Sequence, residues 1–263
     1  MSTDLSATKL QQKASIQLNK KTVEDMMLCS TDKLLLSIFE QKKVTLVEMG
    51  SGEVLSEIAL QDNPRLMCMV ATHLAATTLG KRGIQFIQIN GSTLKEKSML
   101  NLDIDVYGVS AHNDNLVVSH DPPGLQIISR DGAVIHKLDN TTAGREVFKS
   151  PRWIATTSDS IYVTDWGTHQ ITRLDSSLTI LQTFTGPLLQ FPCGIIPLNR
   201  YQLLVCSRDN NSIVQIRPST NSMTSLLEKQ HGIESPHSLC FCKVQKKLYV
   251  APKRDKVLVY QML

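Results

Sequence analysis

Short apolar runs that end near a small or polar residue recur along the whole chain. They begin at six positions, with intervals of 40, 42, 45, 42 and 45 residues. The starts are Leu34, Leu74, Leu116, Ile161, Leu203 and Leu248. A period of about 40 to 50 residues that is built from short strands is typical of the blades of a β-propeller. The pattern therefore predicts an all-β fold, a six-bladed β-propeller, and such a scaffold favours binding over catalysis.

The fourth repeat gives the clearest view of one predicted blade. Four runs rich in β-branched residues cover 152–157, 161–164, 170–174 and 179–183. Turns or loops that contain Asp, Ser and Gly separate these runs, which is the pattern of strands joined by hairpins. Each repeat is therefore predicted to form a four-stranded antiparallel meander.

The two ends of the chain complement each other in this pattern. After Tyr260 too few residues remain for the outer strand of the sixth blade, whereas residues 14–18 (ASIQL) alternate apolar and polar side chains as a strand does. We expect this segment to join the sixth blade as its outer strand and so to remove an open sheet edge. The predicted organisation is an N-terminal tail at 1–13 and a single propeller domain at 14–263.

Composition and charge narrow the class of protein. A chain of 263 residues can bury a large core, and 28 basic against 24 acidic residues leave a net charge of only +4. The six cysteines form no CxxC pair and are read as small buried apolar residues. Neither a signal peptide nor a stretch of about 18 apolar residues is visible. We therefore expect a soluble protein in the reducing cytoplasm, with no membrane partner.

Residues 161–174 (IYVTDWGTHQITRL) resemble an NHL repeat, and residues 203–216 (LLVCSRDNNSIVQI) have the same layout. The span from about residue 14 to the end resembles the propeller that ends many tripartite-motif ubiquitin ligases, especially the divergent types of molluscs and other invertebrates. The resemblance implies a target-recognition module. The Cys and His spacing of a RING is absent from the sequence, so ubiquitin-ligase activity would need other domains.

Polar and aromatic residues of the repeat motif have two interpretations. In the family that the chain resembles, Asp165, His169, Asp209 and Asn211 would hold their hairpins through bonds to the backbone, which suits Asp and Asn in turns. Trp166 lies in a predicted loop between the second and third strands of a blade. Ligand binding and packing between blades are equally good explanations for it, because aromatic residues dominate both interfaces and cores.

Basic residues are concentrated in the predicted loops between second and third strands. These loops share one face of a propeller, and those of blades six, one and two hold seven basic and two acidic side chains. An arc of this charge attracts an acidic protein or phosphates. With Trp166 and Arg208 as anchors, the predicted ligand-binding residues are Lys42, Lys43, Lys81, Arg82, Trp166, Arg208, Lys253, Arg254 and Lys256.

The favoured partner is therefore an acidic protein, bound on the basic loops. Single-stranded RNA on the same face is the alternative, although Phe39 is the nearest aromatic side chain for base stacking. No DNA partner is expected. The other reading of the lysines is that they only solvate the loops.

Catalysis is the third interpretation, because six-bladed propellers also include metal-dependent hydrolases and lyases. The predicted inner strands offer Glu24, Asp25, His112 and His237 as metal ligands, which are few and lie near strand ends. The chain also lacks a Gly-rich phosphate loop and a G-x-S-x-G motif. We therefore expect no enzyme activity, no metal and no cofactor.

Overall fold

The chain forms a six-bladed β-propeller, as the spacing of the apolar runs predicts. The computed structural model describes residues 10–18, 22–80, 83–252 and 256–262. It contains six four-stranded sheets, in which each strand runs antiparallel to its neighbours. Within the described residues no helix is long and apolar enough to cross a membrane.

Each of the first five blades is a meander whose strands follow the chain from the centre of the ring outward. Blades one and two consist of β2 (Val23–Leu28), β3 (Lys33–Ile38), β4 (Lys43–Glu48), β5 (Val54–Ala59), β6 (Pro64–Ala71), β7 (Leu74–Leu79), β8 (Gly83–Asn90) and β9 (Thr93–Asn101). Blades three and four consist of β10 (Asp105–His112), β11 (Asn115–Asp121), β12 (Gly124–Ile128), β13 (Val134–Asp139), β14 (Pro151–Thr156), β15 (Ile161–Asp165), β16 (Gln170–Leu174) and β17 (Ile180–Phe184). Blade five consists of β18 (Pro192–Asn199), β19 (Gln202–Ser207), β20 (Ser212–Arg217) and β21 (Ser222–Leu227).

Blade six joins the two ends of the chain. It consists of β22 (Pro236–Cys242), β23 (Lys247–Pro252), β24 (Lys256–Met262) and, as its outer strand, β1 (Leu10–Gln17). The predicted closure is confirmed, although β1 begins at Leu10, four residues earlier than the pattern 14–18 indicated. Ile16 is the buried residue of β1 and packs into the core between blades six and one.

The innermost strands surround a central channel. β2, β6, β10, β14, β18 and β22 each contact the next in this order, and β22 contacts β2. The starts of these strands lie beside the loops that join the second strand of each blade to the third, because first and second strands are antiparallel. We call this side of the ring the loop face.

A β-bulge interrupts the start of every innermost strand. In blade one Val23 pairs with Ile38 and Asp25 with Ser37, so the bulge contains Glu24. The bulges of the other five blades contain Arg65 and Leu66, Tyr107, Arg152 and Trp153, Cys193 and Gly194, and His237. Because a bulge breaks the alternation of side chains, it can redirect a side chain that the strand pattern would place elsewhere.

Buried hydroxyl groups connect these bulges to the next blade. In blade three the Ser119 hydroxyl accepts a hydrogen bond from the Gly108 N–H at 2.9 Å and donates one to the carbonyl oxygen of Arg152 at 2.8 Å. Ser37 and Thr78 make the corresponding donations to the carbonyls of Arg65 and Tyr107, both at 2.6 Å. In blades one to three, the polar residue that follows the apolar run of the second strand therefore hydrogen-bonds to the backbone of the next blade.

Candidate binding site at the mouth of the channel

The channel opens on the loop face into a cavity of about 310 Å³. We call this cavity the mouth. Its walls come from the bulges of blades one to four and from two loops between second and third strands. The lining residues are Thr22, Glu24, Phe39, Glu40, Arg65, Leu66, Tyr107, Arg152, Trp153 and Trp166.

Cations and aromatic rings alternate along one side of the mouth. The guanidinium of Arg65 lies 5.6 Å from the centre of the Phe39 ring and 4.9 Å from that of Tyr107. The guanidinium of Arg152 lies 3.5 Å from the same Tyr107 centre. Both arginines therefore use one ring as their support, at distances at which a cation is attracted to the face of an aromatic ring.

The row continues through blade four into blade five. Arg152 lies 5.0 Å from the ring centre of Trp166, which stacks on Phe191 with 4.6 Å between ring centres. Arg208 lies 4.9 Å from the centre of Phe191. We call the whole series the arginine–aromatic arc; its members are Phe39, Arg65, Tyr107, Arg152, Trp166, Phe191 and Arg208.

Asp165 fixes the loop that carries Trp166. Its carboxylate ends β15 and is almost fully buried. It accepts hydrogen bonds from four backbone N–H groups at 2.8 to 3.1 Å, two from the connection before β14 and two from its own loop. The donors are Lys149, Ser150, Gly167 and Thr168. The loop is therefore held rigidly against the neighbouring chain segment.

Several donor groups of the arc lack an acceptor. The Nε atoms of Arg65, Arg152 and Arg208 are buried and have no hydrogen-bond partner among the described residues. Burial lowers the pKa of Arg152 from its ordinary value, and the charge of Arg65 acts in the same direction. The guanidinium remains charged at neutral pH all the same. The fold thus brings cations together without supplying acceptors for these N–H groups among the described residues, and buried donors without a partner destabilise the fold.

A histidine and a carboxylate adjoin the base of the mouth. His237, which is fully buried, has its Nε2 atom 3.6 Å from Oε2 of Glu24. The ring of Trp153 meets that of His237 edge to face, with 4.9 Å between centres. The contact between Glu24 and His237 joins blade one to blade six at the base of the mouth.

The opposite end of the channel forms a second cavity, also of about 310 Å³. Asp25 borders it and is buried. Its carboxylate accepts hydrogen bonds from the Ser238 hydroxyl at 2.7 Å and from the Met67 N–H at 2.8 Å. Burial raises the pKa of Asp25 to about 6.

The predicted binding residues fall into three groups. Trp166 and Arg208 meet in the arc through Phe191, and Trp166 both packs and lines the mouth. Lys42 donates to the carbonyl of Gln61, and three predicted basic residues lie away from the lining of the mouth: Lys42, Lys43 and Lys256. The four remaining predicted residues lie outside the described residues: Lys81, Arg82, Lys253 and Arg254.

Three of the four loop residues of the repeat motif accept hydrogen bonds from backbone, but only Asp165 does so within its own hairpin; His169 and Asn211 bond to the segments before β18 and β22. Asp165 makes the four contacts given above. His169 accepts from the N–H of Phe191 through Nδ1 at 2.8 Å, and Asn211 accepts from that of Ser235 at 2.8 Å. Asp209 is exposed.

The four residues that were weighed as metal ligands do not form one cluster. Glu24 and His237 are neighbours at the mouth, whereas Asp25 bonds to Ser238 and His112 bonds to Ser176. Within the ranges that the structure describes, no group of three or more His, Cys, Asp or Glu side chains is placed to hold a metal ion.

Sequence reasoning missed Arg65, Tyr107 and Arg152. The predicted site residues lie in the loops between second and third strands, whereas these three side chains come from bulges at the starts of first strands. One signal was available, because a Pro-Arg pair stands at the same place in two repeats, at Pro64-Arg65 and Pro151-Arg152. Because the blades repeat around the ring, Arg65 and Arg152 occupy equivalent positions in their blades and lie at the same level of the channel.

Comparison with known proteins supports the fold. No protein-family model and no curated protein matches the sequence. Among solved structures, the chain is similar to the WD40 β-propeller domain of Doa1, with a TM-score of 0.67 and 12% identity over 96% of this chain and 97% of that one. It is also similar to a streptogramin B lyase, with a TM-score of 0.66 and 13% identity over 97% of this chain and 98% of that one. Virginiamycin B lyase from Staphylococcus aureus gives a TM-score of 0.66 and 15% identity over 97% and 100% of the two chains. Likenesses at this identity establish a shared propeller fold.

Proposed function

We propose that this chain is a non-catalytic interaction module that binds a protein partner at the mouth of the channel on the loop face. The observation that carries the proposal is the arginine–aromatic arc. Arg, Trp and Tyr are the residues that most often dominate the binding energy of protein interfaces. Four such residues of the arc, Arg65, Tyr107, Arg152 and Trp166, line the mouth and are partly exposed.

The rigidity of the arc supports binding. The Asp165 contacts hold the Trp166 loop, and the Ser37, Thr78 and Ser119 hydroxyls hold the backbone of Arg65, Tyr107 and Arg152. A site that is ordered before the partner arrives loses less conformational entropy on binding. The arc is therefore suited to act as a preformed anchor point for an acidic partner.

The likeness of residues 161–174 to an NHL repeat adds a finer proposal. In that interpretation the propeller is the target-recognition end of a ubiquitin-ligase system of the tripartite-motif kind. Fold by itself does not determine function, and the similar structures include both a WD40 domain and lyases. The site chemistry, and not the fold, is the basis on which we prefer a protein partner.

The test is quantitative capture from cytosol by the immobilised chain. Arg65→Glu reverses a charge inside the mouth, and Lys243→Glu makes the same reversal at an exposed residue that lines the opposite cavity. We expect the set of captured proteins to be lost with Arg65→Glu and kept with Lys243→Glu. Equal capture by both variants and the unmodified chain would exclude the mouth as the binding site.

RNA is separated from protein by the same experiment. Nuclease treatment before capture leaves a direct protein complex intact and removes proteins that are held through RNA. Loss of every captured protein after that treatment would favour the RNA alternative.

A further inference from the structure

We infer that the mouth recognises an acidic peptide segment, whose carboxylates pair with the guanidinium groups of Arg65 and Arg152. The inference rests on the proposed function and gives the chemistry of the partner.

The guanidinium groups of Arg65 and Arg152 lie close together on one aromatic ring. The guanidinium groups of Arg65 and Arg152 both lie within 5 Å of the Tyr107 ring centre, so they are held close to each other in spite of equal charge. Each retains a buried Nε–H without an acceptor among the described residues. A carboxylate is the planar acceptor that fits the donor fork of an arginine.

The positions of the two arginines are fixed by their supports. The Tyr107 ring contacts both guanidinium groups, and Trp166 lies against that of Arg152. An arginine that is already oriented loses less side-chain entropy when it pairs with a carboxylate. Pairing of a carboxylate with the exposed part of a guanidinium adds charge-assisted hydrogen bonds in a partly desolvated site.

The charge of the lining favours a peptide over a polyphosphate chain. Among the ten lining residues, Arg65 and Arg152 are balanced by Glu24 and Glu40. A site with this balance can accept single negative charges that are aimed at the arginines. A glutamate carboxylate lies at the end of a flexible side chain that can turn toward an arginine, whereas the charges of a phosphodiester chain are fixed in a backbone that must pass both lining glutamates, and like charges at close range repel.

Apolar surface at the mouth fits the parts of a peptide between its carboxylates. Phe39 and Trp166 flank the arginines, and Leu66 and Trp153 line the same cavity. Methylene groups and apolar side chains of a peptide can bury area against these walls, whereas inorganic phosphate has no such groups. The mouth therefore discriminates by shape as well as by charge.

Intrinsic fluorescence provides a direct readout. The chain has only two tryptophans, Trp153 and Trp166, and both line the mouth. Titration with a blocked tetraglutamate peptide, with excitation of tryptophan alone, therefore reports binding in the channel. Trp153 also borders the opposite cavity, so variants of Arg65 and Arg152 at the mouth and of Lys243 at the opposite cavity assign the signal to one end. The comparison probes are the blocked tetraglutamine peptide, inorganic phosphate and oligouridylate.

We expect a saturable change in emission with tetraglutamate, and affinity at least about tenfold lower for each of the other three probes. An Arg65→Gln, Arg152→Gln double variant should weaken tetraglutamate binding by at least about tenfold, which corresponds to 1.4 kcal/mol. The control Lys243→Gln, at the opposite cavity, should bind as the unmodified chain does.

Equal affinity for tetraglutamate and tetraglutamine would overturn the inference, as would tighter binding of phosphate or oligouridylate. These comparisons use the unmodified chain, so they hold even if the double variant does not fold. Failure here is distinct from failure of the proposed function. If capture of a protein partner depends on Arg65 while tetraglutamate is not preferred, the interaction module stands and the acidic peptide is wrong.

Discussion

The hydroxyl of Ser238 donates a 2.7 Å hydrogen bond to the carboxylate of Asp25 where blade six meets blade one. The same carboxylate accepts from the Met67 N–H of blade two. One buried acid thus links three blades, including the pair that closes the ring. Because this acid is buried, its protonation state affects the stability of the whole ring.

Asp25 should make the fold less stable as the pH rises from 4 to 7. Burial raises its pKa in the folded state from the ordinary value of 3.8 to about 6. The folded state therefore holds the proton more tightly than the unfolded chain does. The stabilisation is complete below pH 3.8 and is lost as the pH rises through 6. The contribution is on the order of 3 kcal/mol, at 1.36 kcal/mol per pKa unit.

Asp25→Asn provides the matched variant, because its amide can accept from Met67 and donate to Ser238 without titrating. Free energies of unfolding of both chains should be measured by urea denaturation at several pH values. We expect the unmodified chain to lose stability relative to Asp25→Asn between pH 4 and 7. The contributions of His112 and His120, whose pKa values are lowered by burial, are present in both chains and cancel in the difference. A difference that is independent of pH would contradict the raised pKa.

Ring closure by β1 should depend on a single buried side chain. Ile16 is 6% exposed, whereas its neighbour Ser15 is exposed. Ile16→Asp would place a charge in the core between blades six and one, and should lower the free energy of unfolding by about 3 kcal/mol or more. Ser15→Asp, in the same strand, should change it by less than about 0.5 kcal/mol. Equal effects in thermal unfolding would mean that β1 is not part of the cooperative fold.

The contact between blades three and four requires a glycine directly after the bulge of β10. A Cβ at Gly108 would collide with the carbonyl oxygen of Arg152, whereas a Cβ at Gly50 would meet nothing within 4 Å. Gly108→Ala should therefore lower the free energy of unfolding by about 3 kcal/mol, since backbone must move to relieve the overlap. Gly50→Ala is the control and should be nearly neutral in the same urea titration. Similar values for the two variants would contradict the close approach.

The Ser119 hydroxyl should be needed for both stability and binding. Ser119→Ala leaves the Gly108 N–H and the Arg152 carbonyl without their shared partner, at a cost of about 2 kcal/mol. It also frees the backbone that positions the Arg152 guanidinium, so tetraglutamate should bind more weakly. Ser119→Thr should restore both properties, because Thr78 makes the corresponding contact in blade two. A Ser119→Ala chain with normal stability and affinity would show that this hydroxyl does not hold blades three and four together.

The fold could be predicted from the sequence because its signals are local and repeated. The spacing of Leu34, Leu74 and the later starts sets the number of blades, and the alternation in 14–18 identifies the closing strand. The site could be predicted only in part. Trp166 and Arg208, which were predicted as binding residues, lie in the arc, and their placement in loops follows from strand order. Arg65, Tyr107 and Arg152 were missed because bulges turn them into the mouth, and a bulge has no sequence signal comparable to strand alternation.

Photo-crosslinking from the rim of the mouth tests the central claim most directly. A benzoylphenylalanine in place of Glu40, which is exposed and lines the mouth, should crosslink to the captured protein partner. The same group in place of Lys243, at the opposite cavity, should not. We expect tetraglutamate to suppress the crosslink at position 40. A crosslink from position 243 but not from position 40 would place the partner on the other face and contradict the account.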